Sequence, residues 1–189
     1  MKPKFKNKYN NEEIKAALKE ESFGKCMYCD TFVKVITYGH VEHIKPKSSH
    51  PHLAYDWENL GWSCQTCNVK KGSKEILNPY IDDLEEILEP KFTCMYEDEP
   101  ENVEVINFIS TLDLNRPDLV INRVQDCSNF ERKLKRIKTI LNGTDTNLKY
   151  YIEALNQESN VDQQYYIFKR YTLDIYLKAQ DIDVENFVS

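Results

Sequence analysis

Four cysteines in two Cys-x-x-Cys pairs constrain this chain more than any other feature of its sequence. The pairs are Cys26-x-x-Cys29 and Cys64-x-x-Cys67, with 34 residues between them. Each pair can supply two thiolates from one tight turn, and two pairs complete the tetrahedral ligand set of zinc. The separation exceeds the roughly 15–20 residues of a compact zinc ribbon. We therefore expect two zinc knuckles that enclose an inserted segment.

The cellular compartment decides whether such cysteines bind metal or form disulfides. The 189-residue chain is 41% hydrophobic, and it has no apolar run of the roughly 18 residues that mark a membrane span. Its first residues, MKPKFKNKYNNEE, lack the apolar stretch of a secretory signal. A cytoplasmic, reducing location is therefore expected, which favours zinc over a disulfide or four unrelated buried cysteines. Because four thiolates fill every zinc position, the zinc is expected to be structural.

Helix signals occur on both sides of the cysteine pairs. Residues 1–10 are typical of a basic arm, and Asn11 is a candidate N-cap for a helix over residues 11–20. A second helix is predicted to start after Cys64 and to stop or turn at Asn78-Pro79.

The segment between the pairs has strand and loop signals. The run TFVKVIT, a turn at Tyr38-Gly39 and the returning run HVEHI predict a β-hairpin. Residues 45–58, with two prolines and two serines, are loop-like.

The last third of the chain has helical periodicity. Asn115-Arg116-Pro117-Asp118 is a helix-start signal, and Gly143 fits a C-terminal cap. The residues of the three predicted apolar stripes are Phe130, Leu134, Ile137 and Leu141; Leu148, Tyr151, Ile152 and Leu155; and Tyr165, Phe168, Tyr171, Ile175 and Tyr176.

An ordered set of side chains capable of catalysis lies between and just after the cysteine pairs. The chain reads HVEHIKPKS, then WENL, and the second pair continues as CNVKKG. The members of the set are Glu42, His43, Ile44, Pro46, Asn59, Leu60, Asn68 and Lys71. In this order they resemble the HNH endonuclease family. The resemblance implies a ββα metal core (the His-Me finger) inside the four-cysteine zinc clamp. Together with the helical C-terminal region, the expected fold class is α+β.

The chemistry of phosphodiester hydrolysis suggests a role for each side chain. The reaction needs a base for water and a cation for charge on the phosphate. His43 is the predicted general base, because a neutral imidazole titrates near neutral pH. The resemblance implies that Asn59 orients His43, and that Glu42 and Asn68 hold a catalytic Mg²⁺ or Mn²⁺ through oxygen donors. Relatives often have Asp at the position of Glu42 and His at the position of Asn68. Since an amide is a weak ligand, we expect low metal affinity without substrate.

Several neighbouring residues have two interpretations. His40 is predicted to share a strand face with Glu42 and could assist the metal or a phosphate, although a surface histidine is favoured. Trp57 and Trp62 are predicted to pack beside the zinc site. Cys94 and Cys127 stand alone and are interpreted as core or surface residues. A lysine cluster could contact phosphates or be a solvated surface; its members are Lys45, Lys47, Lys70, Lys71 and Lys74.

A narrower resemblance covers about residues 20–125. The segments CMYC, VEHIKPKSSHPHLAYDWENL, CQTCNVKKG and NPY resemble the HNH proteins of the Septu and retron-associated anti-phage group of bacteria. Members continue with a LxLNRxxLxxxR stretch, which is LDLNRPDLVINR at residues 112–123 here. The resemblance implies a DNA-cutting effector that works with an ATPase partner of the structural-maintenance type.

The charge of the chain is unevenly distributed. Residues 1–80 contain 13 Lys/Arg and 9 Asp/Glu, a net charge of +4, whereas the whole chain carries −6, which leaves −10 for residues 81–189. This asymmetry predicts a front half that faces nucleic acid. The acidic run in residues 81–104 is interpreted as a solvated surface.

The predicted organisation has four parts. They are an arm and helix at 1–20, the nuclease core at 21–80, an acidic connecting and packing segment at 81–125, and a helical region at 126–189. The helical region, together with the acidic segment, is the predicted docking site of a partner. Its tyrosines suit either an interface or a small core, and its basic stretch ERKLKRIK is interpreted as a solvated helix face.

Three functions are compatible with these patterns. The first is a metal-dependent DNA endonuclease. The second is a non-catalytic zinc-stabilised adaptor that binds nucleic acid or protein, and the third is an RNase. The presence of both His43 and Asn59 favours a nuclease over an adaptor, whereas little in an HNH core distinguishes DNA from RNA.

Overall fold

The structure is a computed structural model, and it describes residues 9–33, 39–91, 93–97, 101–141 and 148–180. Some predictions fall outside the described residues. They concern most of the basic arm, the KVIT part of the first predicted strand with Tyr38, the acidic residues at 98 and 99, the side chain of Leu141 and the Gly143 cap.

The described residues form two compact units. The first lies within Met1–Leu88 and Asp98–Leu114, and the second within Glu89–Glu97 and Asn115–Ser189. The first unit contains a two-stranded sheet and short helices, and the described part of the second contains three helices. The predicted α+β fold class is confirmed. Each helix in the described ranges is too short or too polar to cross a lipid bilayer.

The described part of the first unit contains a two-stranded sheet and four α-helices. They are α1 (Glu12–Glu21), β1 (Gly39–His43), β2 (Leu60–Cys64), α2 (Gln65–Lys71), α3 (Leu84–Ile87) and α4 (Val103–Leu112). Helices α1 and α2 pack against the sheet. The predicted cap of α1 is confirmed, because Asn11 Oδ1 accepts a hydrogen bond from Ile14 N at 2.8 Å. Helix α4 packs on α2. The sheet and α2 therefore form the ββα core that was expected.

The strand partner of β1 was not predicted. β1 pairs with β2 in antiparallel register, with Gly39 opposite Cys64 and His43 opposite Leu60. Phe32, from the described part of the predicted partner strand, forms a bridge with Lys25 instead. β2 is the short run LGWSC, and it has no Gly/Pro turn signal directly before it. It pairs with a strand about twenty residues upstream. Tertiary packing determines this pairing, and local sequence patterns do not indicate it.

Helix α2 ends earlier than the sequence predicted. Gly72 adopts φ +54° and ψ −122°, and its N–H donates to Asn68 O at 3.0 Å. A residue with a Cβ rarely adopts this conformation. The helix therefore stops at Gly72, before the predicted stop at Asn78-Pro79.

The second unit is built on α5 (Pro117–Leu141), α6 (Leu148–Glu158) and α7 (Tyr166–Ala179). The predicted start at Pro117 is confirmed, and α5 continues through residues 125 and 126, where a boundary between segments was predicted. The core residues of this unit are Phe130, Leu134, Ile137, Ile152, Leu155, Leu173 and Leu177. The α5 and α6 stripes are largely as predicted. The buried face of α7 centres on leucines, and the predicted Tyr171, Ile175 and Tyr176 are half-buried.

Arg123, the last residue of the LDLNRPDLVINR stretch, has a structural role in the second unit. It is fully buried, and its guanidinium carbon lies 4.8 Å from the ring centres of both Tyr96 and Phe168. Its Nη1 donates to Cys94 O at 3.4 Å. Cys94 and Cys127 are both buried, which decides between the core and surface alternatives in favour of the core. They do not stand alone, because a hydrogen bond with the Cys127 thiol lowers the pKa of Cys94.

Candidate active site and metal centre

The two Cys-x-x-Cys pairs converge on one point. The four sulfur atoms lie within 4.8 Å of one another, and Cys29 Sγ is 3.9 Å from Cys64 Sγ. Tetrahedral zinc with Zn–S bonds of about 2.3 Å places its thiolates about 3.8 Å apart. All four cysteines are free thiols. Their donor type and spacing therefore fit a zinc ion.

The two knuckles also fix the elements around them. In the first knuckle, Asp30 takes the left-handed conformation, and its N–H donates to Cys26 O at 2.9 Å. In the second, the side chain of Cys64 caps α2 by accepting a hydrogen bond from Cys67 N at 3.5 Å. Because Met27 N also donates to Trp62 O at 3.0 Å, the first knuckle is attached to the middle of β2.

The thiols influence one another electrostatically. Burial raises the pKa of Cys26, whereas hydrogen bonds from the neighbouring thiols, first that of Cys26, lower the pKa of Cys29. A divalent cation would stabilise all four as thiolates, since zinc ligands are deprotonated.

Strand β1 and helix α2 bring Glu42 and Asn68 into contact. Asn68 Nδ2 donates a hydrogen bond to Glu42 Oε2. Glu42 lies opposite Gly61, where an added Cβ would overlap Met27 Sδ. Two side chains in contact can reach one cation, and a carboxylate with an amide oxygen suits Mg²⁺ or Mn²⁺. The amide would have to present Oδ1 in place of Nδ2.

Lys71 is not available to nucleic acid, which corrects its predicted phosphate contact. The residue is 0% exposed. Its Nζ lies 3.3 Å from Glu42 Oε1 and donates to His43 O at 2.8 Å. Burial raises the pKa of Glu42 and lowers that of Lys71, and the attraction between the two charges opposes both shifts. Its position on the last turn of α2 turns this lysine inward.

His43 is buried and anchored through one ring nitrogen. Its Nε2 lies 3.1 Å from the carbonyl oxygen of Ala54. Because a carbonyl oxygen only accepts, Nε2 carries the hydrogen in neutral His43, and Nδ1 is the basic nitrogen. Burial lowers the pKa of His43 below its usual 6.5. The hydrogen bond to Ala54 opposes this shift, and the charges of Lys47 and Lys71 add to it. The neutral form is the form a general base requires.

Asn59 contacts the backbone and not the imidazole, at least among the residues described. Its Oδ1 accepts from Lys45 N at 2.7 Å, and its Nδ2 donates to Lys45 O at 3.0 Å and to Leu53 O at 3.2 Å. Leu53 precedes Ala54, whose carbonyl anchors His43. Asn59 therefore affects His43 indirectly, through the loop.

A cleft of about 360 Å³ brings the predicted catalytic residues together. Its lining includes Glu42, His43, Asn68 and His40. His40 is half-buried and lies opposite Ser63. Its Nε2 is buried and has no hydrogen-bond partner among the described residues. The cleft is large enough for a phosphate group and its neighbouring atoms.

The other four lysines of the predicted cluster differ in exposure. Lys45 and Lys74 are exposed, and Lys47 lines the cleft. Lys70 is half-buried and pairs with Asp113 at 2.8 Å, directly after α4. Of these four lysines, Lys47 is therefore the one that lines the cleft together with the candidate catalytic groups.

Tyr9 is part of the site, and no sequence pattern indicated it. Its ring packs edge-on against His43, with 4.6 Å between the centroids and 82° between the planes. Its hydroxyl accepts a hydrogen bond from Lys47 Nζ. Tyr9 precedes α1, far from His43 in the sequence, and no local signal links the two residues. The contact arises only from the fold.

The two tryptophans differ in burial. Trp62 is 7% exposed, as predicted, whereas Trp57 is 40% exposed, so the prediction of a core role is wrong for Trp57. Trp57 begins a short 3₁₀ turn, Trp57–Asn59, that delivers Asn59 to the loop. The turn directs Asn59 inward and Trp57 toward solvent.

Comparison with known proteins agrees with this geometry. Residues 26–74 match the HNH endonuclease family. The Septu protein PtuB of Bacillus thuringiensis is 43% identical over 75 residues, which cover 36% of this chain and 29% of the relative. The Septu protein PtuB of Bacillus mycoides (strain KBAB4) is 30% identical over 173 residues, which cover 73% of this chain and 58% of the relative.

These matches confirm the predicted resemblance to HNH endonucleases and to the Septu group. Residues 26–74 form an HNH endonuclease domain, and they include all four cysteines and the candidate catalytic side chains. The chain spans less than two thirds of the length of either curated relative.

Proposed function

We propose that this chain, whose residues 26–74 form an HNH endonuclease domain, is a metal-dependent endonuclease that hydrolyses phosphodiester bonds of DNA. One observation carries the proposal. The anchored, neutral imidazole of His43 lines the same cleft as the contacting pair Glu42 and Asn68. A base and an oxygen-donor pair on one cleft are the two requirements of hydrolysis at phosphate.

In the proposed mechanism, His43 accepts a proton from water at Nδ1. Ala54 O holds Nε2–H, so the imidazole stays in the tautomer that leaves Nδ1 basic. Glu42 and Asn68 would hold Mg²⁺ or Mn²⁺, which would supply positive charge for the phosphate oxygens and the leaving 3′ oxygen. Asn59 keeps the loop and its carbonyl in place.

We assign a Zn²⁺ ion to the four cysteines, with a structural role. The thiolates would complete its coordination and leave no position for water or phosphate. The zinc would fix β2 and the start of α2, and these elements set the spacing between Glu42 and Asn68. Exposed Lys45 and Lys74, with Lys47 at the cleft, are the proposed phosphate contacts, and Lys70 is a weaker candidate because it is paired with Asp113.

The similarity to Septu PtuB proteins over 73% of the chain supports a place in an anti-phage defence system. We assign to this chain the nuclease role, with an ATPase as the partner. The helical second unit is the proposed docking region, because it offers two exposed apolar side chains one turn apart on α5. Ile121 is 58% exposed and Val124 is 42% exposed. Adjacent exposed apolar side chains form the kind of patch that marks a protein contact, whereas a single one is ordinary.

The activity is tested with a supercoiled plasmid. The zinc-loaded chain is incubated with and without Mn²⁺, alone and with the proposed ATPase partner. Nicking that needs Mn²⁺ and falls at least about 100-fold in His43→Ala is expected. His52→Ala is the matched control, since His52 is exposed and does not line the cleft. Cleavage of RNA in place of DNA would point to an RNase. One zinc per chain with no cutting of either polymer under any divalent ion would point to an adaptor.

The partner is tested by co-purification of the full chain with that ATPase. We expect Ile121→Glu with Val124→Glu to release the ATPase while zinc content and the melting temperature stay unchanged. Undiminished co-purification of the double variant would exclude this face of α5. Full-length variants are preferred because a truncation at residue 126 would cut α5 in its middle.

A further inference from the structure

We propose that Lys71 is an internal counter-ion of Glu42 that makes binding of the catalytic cation depend on bound nucleic acid. The inference rests on the proposed function, because it concerns the cation that Glu42 and Asn68 would hold. It gives Lys71 a positioning and gating role in place of the phosphate contact that its sequence suggested.

The contacts of Lys71 fix its ammonium beside the candidate metal ligands. Its Nζ lies 3.3 Å from Glu42 Oε1 and 2.8 Å from the carbonyl oxygen of His43. The side chain is fully buried. An ammonium on a flexible stem usually swings into solvent when a competing cation arrives. Here burial and the second hydrogen bond prevent that, so Lys71 keeps its place when Glu42 binds another cation.

The charges of the site then add up to zero before any metal arrives. Glu42 contributes −1, Lys71 contributes +1, and Asn68 is a neutral amide. Both carboxylate oxygens of Glu42 are already engaged, Oε1 by Lys71 and Oε2 by Asn68. A divalent cation would gain one shared carboxylate and would meet a buried ammonium on the other side of it. In a partly buried site such repulsion is strong.

The rest of the cleft reinforces this effect. Lys47 lines the cleft and Lys71 lies buried behind it against Glu42, so one carboxylate is accompanied by two ammonium groups. Such a cleft attracts a polyanion before it attracts a cation. A phosphodiester would bring the missing negative charge and further oxygen ligands. Nucleic acid and cation should therefore bind with positive coupling, and each should raise the affinity for the other by the same factor.

The proposal is tested by titration of Mn²⁺ into the zinc-loaded full chain. Binding is measured by calorimetry or from the paramagnetic signal of free Mn²⁺. The His43→Ala background keeps DNA intact, and each variant is measured with and without a short DNA duplex. In the absence of DNA, Lys71→Met is expected to bind Mn²⁺ at least about tenfold more tightly than the parent protein, which retains Lys71. The variant should also lose most of the increase in Mn²⁺ affinity that DNA causes in the parent. Lys15→Met, which removes a lysine of α1 that pairs with Glu12 at 2.9 Å, should leave the affinity for Mn²⁺ alone unchanged.

Each outcome bears on the proposal. Equal affinity of Lys71→Met and the parent for Mn²⁺ alone overturns it, even if DNA still promotes binding in both. Failure of every variant to bind Mn²⁺ with or without DNA overturns both this inference and the proposed metal-dependent hydrolysis.

Lys71→Met leaves Glu42 buried beside an apolar chain, so its folding is checked by zinc content. If the variant loses zinc, the proposal is tested on the parent protein, which retains Lys71. Its affinity for Mn²⁺ must rise at least about tenfold with DNA, and its affinity for DNA must rise equally with Mn²⁺. Equal Mn²⁺ affinity with and without DNA overturns the proposal.

Discussion

His43 and Ala54 are joined by a contact of 3.1 Å between the imidazole Nε2 and the backbone carbonyl oxygen. The two residues are 11 positions apart, on a strand and on the loop that follows it. The bond fixes which nitrogen carries the proton, and therefore which nitrogen can act as a base. Burial and two nearby ammonium groups lower the pKa of the same ring. Orientation and protonation of the proposed base are thus set by one local arrangement.

The first prediction concerns the pH dependence of cutting. The acid limb of kcat/KM should have its midpoint below 6.5, because the pKa of His43 is lowered, chiefly by burial. Activity is full while His43 is neutral and falls as the pH drops through this lowered pKa. Plasmid nicking at saturating Mn²⁺ over a series of buffers measures the limb. A midpoint at or above 6.5 would contradict the proposed state of the base.

The same shift predicts how stability depends on pH. A histidine whose pKa is lower in the folded state than in the unfolded state stabilises the fold fully above the unfolded value, near 6.5. That contribution is lost as the pH falls toward the folded value. Urea unfolding should therefore show His43→Ala to be less sensitive than the parent to acidification below about 6.5. Parallel loss of stability in both proteins would show that His43 does not titrate in this way.

The third prediction concerns Asn59, which holds the loop between Lys45 and Leu53. Asn59→Ala removes three hydrogen bonds of a buried side chain. It should lower the free energy of unfolding by about 2–4 kcal/mol. Asn59→Asp should be as damaging despite its similar shape, because a carboxylate oxygen would face the two carbonyl oxygens that Nδ2 now bonds.

Urea unfolding followed by tryptophan fluorescence measures the effect of Asn59, since Trp57 and Trp62 both lie in the first unit. Asn107→Ala is the matched control. Asn107 is exposed, its Nδ2 donates to Glu75 O at 3.2 Å and its Oδ1 accepts from Thr111 Oγ1 at 3.1 Å. Because both hydrogen bonds are exposed to solvent, a change below about 1 kcal/mol is expected. An Asn59→Asp protein as stable as the parent would refute the assigned hydrogen bonds.

The clustering of the four cysteines and the side-chain types of the candidate site could be predicted because their signals are local in sequence. Each Cys-x-x-Cys pair forms one turn, and the spacing of the two pairs already implied an enclosed insertion. Glu42 and His43 are adjacent, and Asn68 follows the second pair directly. Helix starts at Asn11 and Pro117 were visible because caps act within one turn.

The remaining features depend on contacts that the sequence does not encode locally. Lys71 has the same side chain as its neighbour Lys70, yet one is buried and the other pairs with Asp113 at 2.8 Å. Only the direction in which α2 faces separates them. Likewise, nothing around Tyr9 indicates that its ring contacts His43. Charged or aromatic side chains can occupy either face of a short helix or loop, and tertiary packing decides which.

The fourth prediction tests the proposed zinc site against the other cysteines. Cys67→Ser should lower zinc from one ion per chain to a small fraction and abolish cooperative unfolding of the first unit, because the ligand set would be broken. Cys127→Ser is the control, since Cys127 is buried in the second unit, whereas the four clustered sulfurs belong to the first. Its zinc content should equal that of the parent. Zinc content is measured by atomic emission and unfolding by a parallel thermal melt. Full zinc retention in Cys67→Ser would exclude the assigned ligand set.

The last prediction separates the two contacts of Tyr9. The ring covers His43, and the hydroxyl accepts a hydrogen bond from Lys47. Tyr9→Phe keeps the ring and removes the hydrogen bond that positions Lys47, so KM for DNA should rise several-fold while kcat stays within about twofold. Tyr9→Ala also uncovers His43. The pKa of His43 should then return toward about 6.5, and the acid limb of the pH profile should move upward.

The histidine can be followed directly by nuclear magnetic resonance of its ring, without relying on activity. We expect the pKa of His43 to be higher in Tyr9→Ala than in Tyr9→Phe, because only the alanine variant removes the cover. Tyr55→Ala is the matched control, since its ring is half-exposed and lies 6.1 Å from Tyr9, not against His43. If Tyr9→Ala and Tyr55→Ala leave the pKa of His43 equal, burial by Tyr9 does not set the protonation of the base.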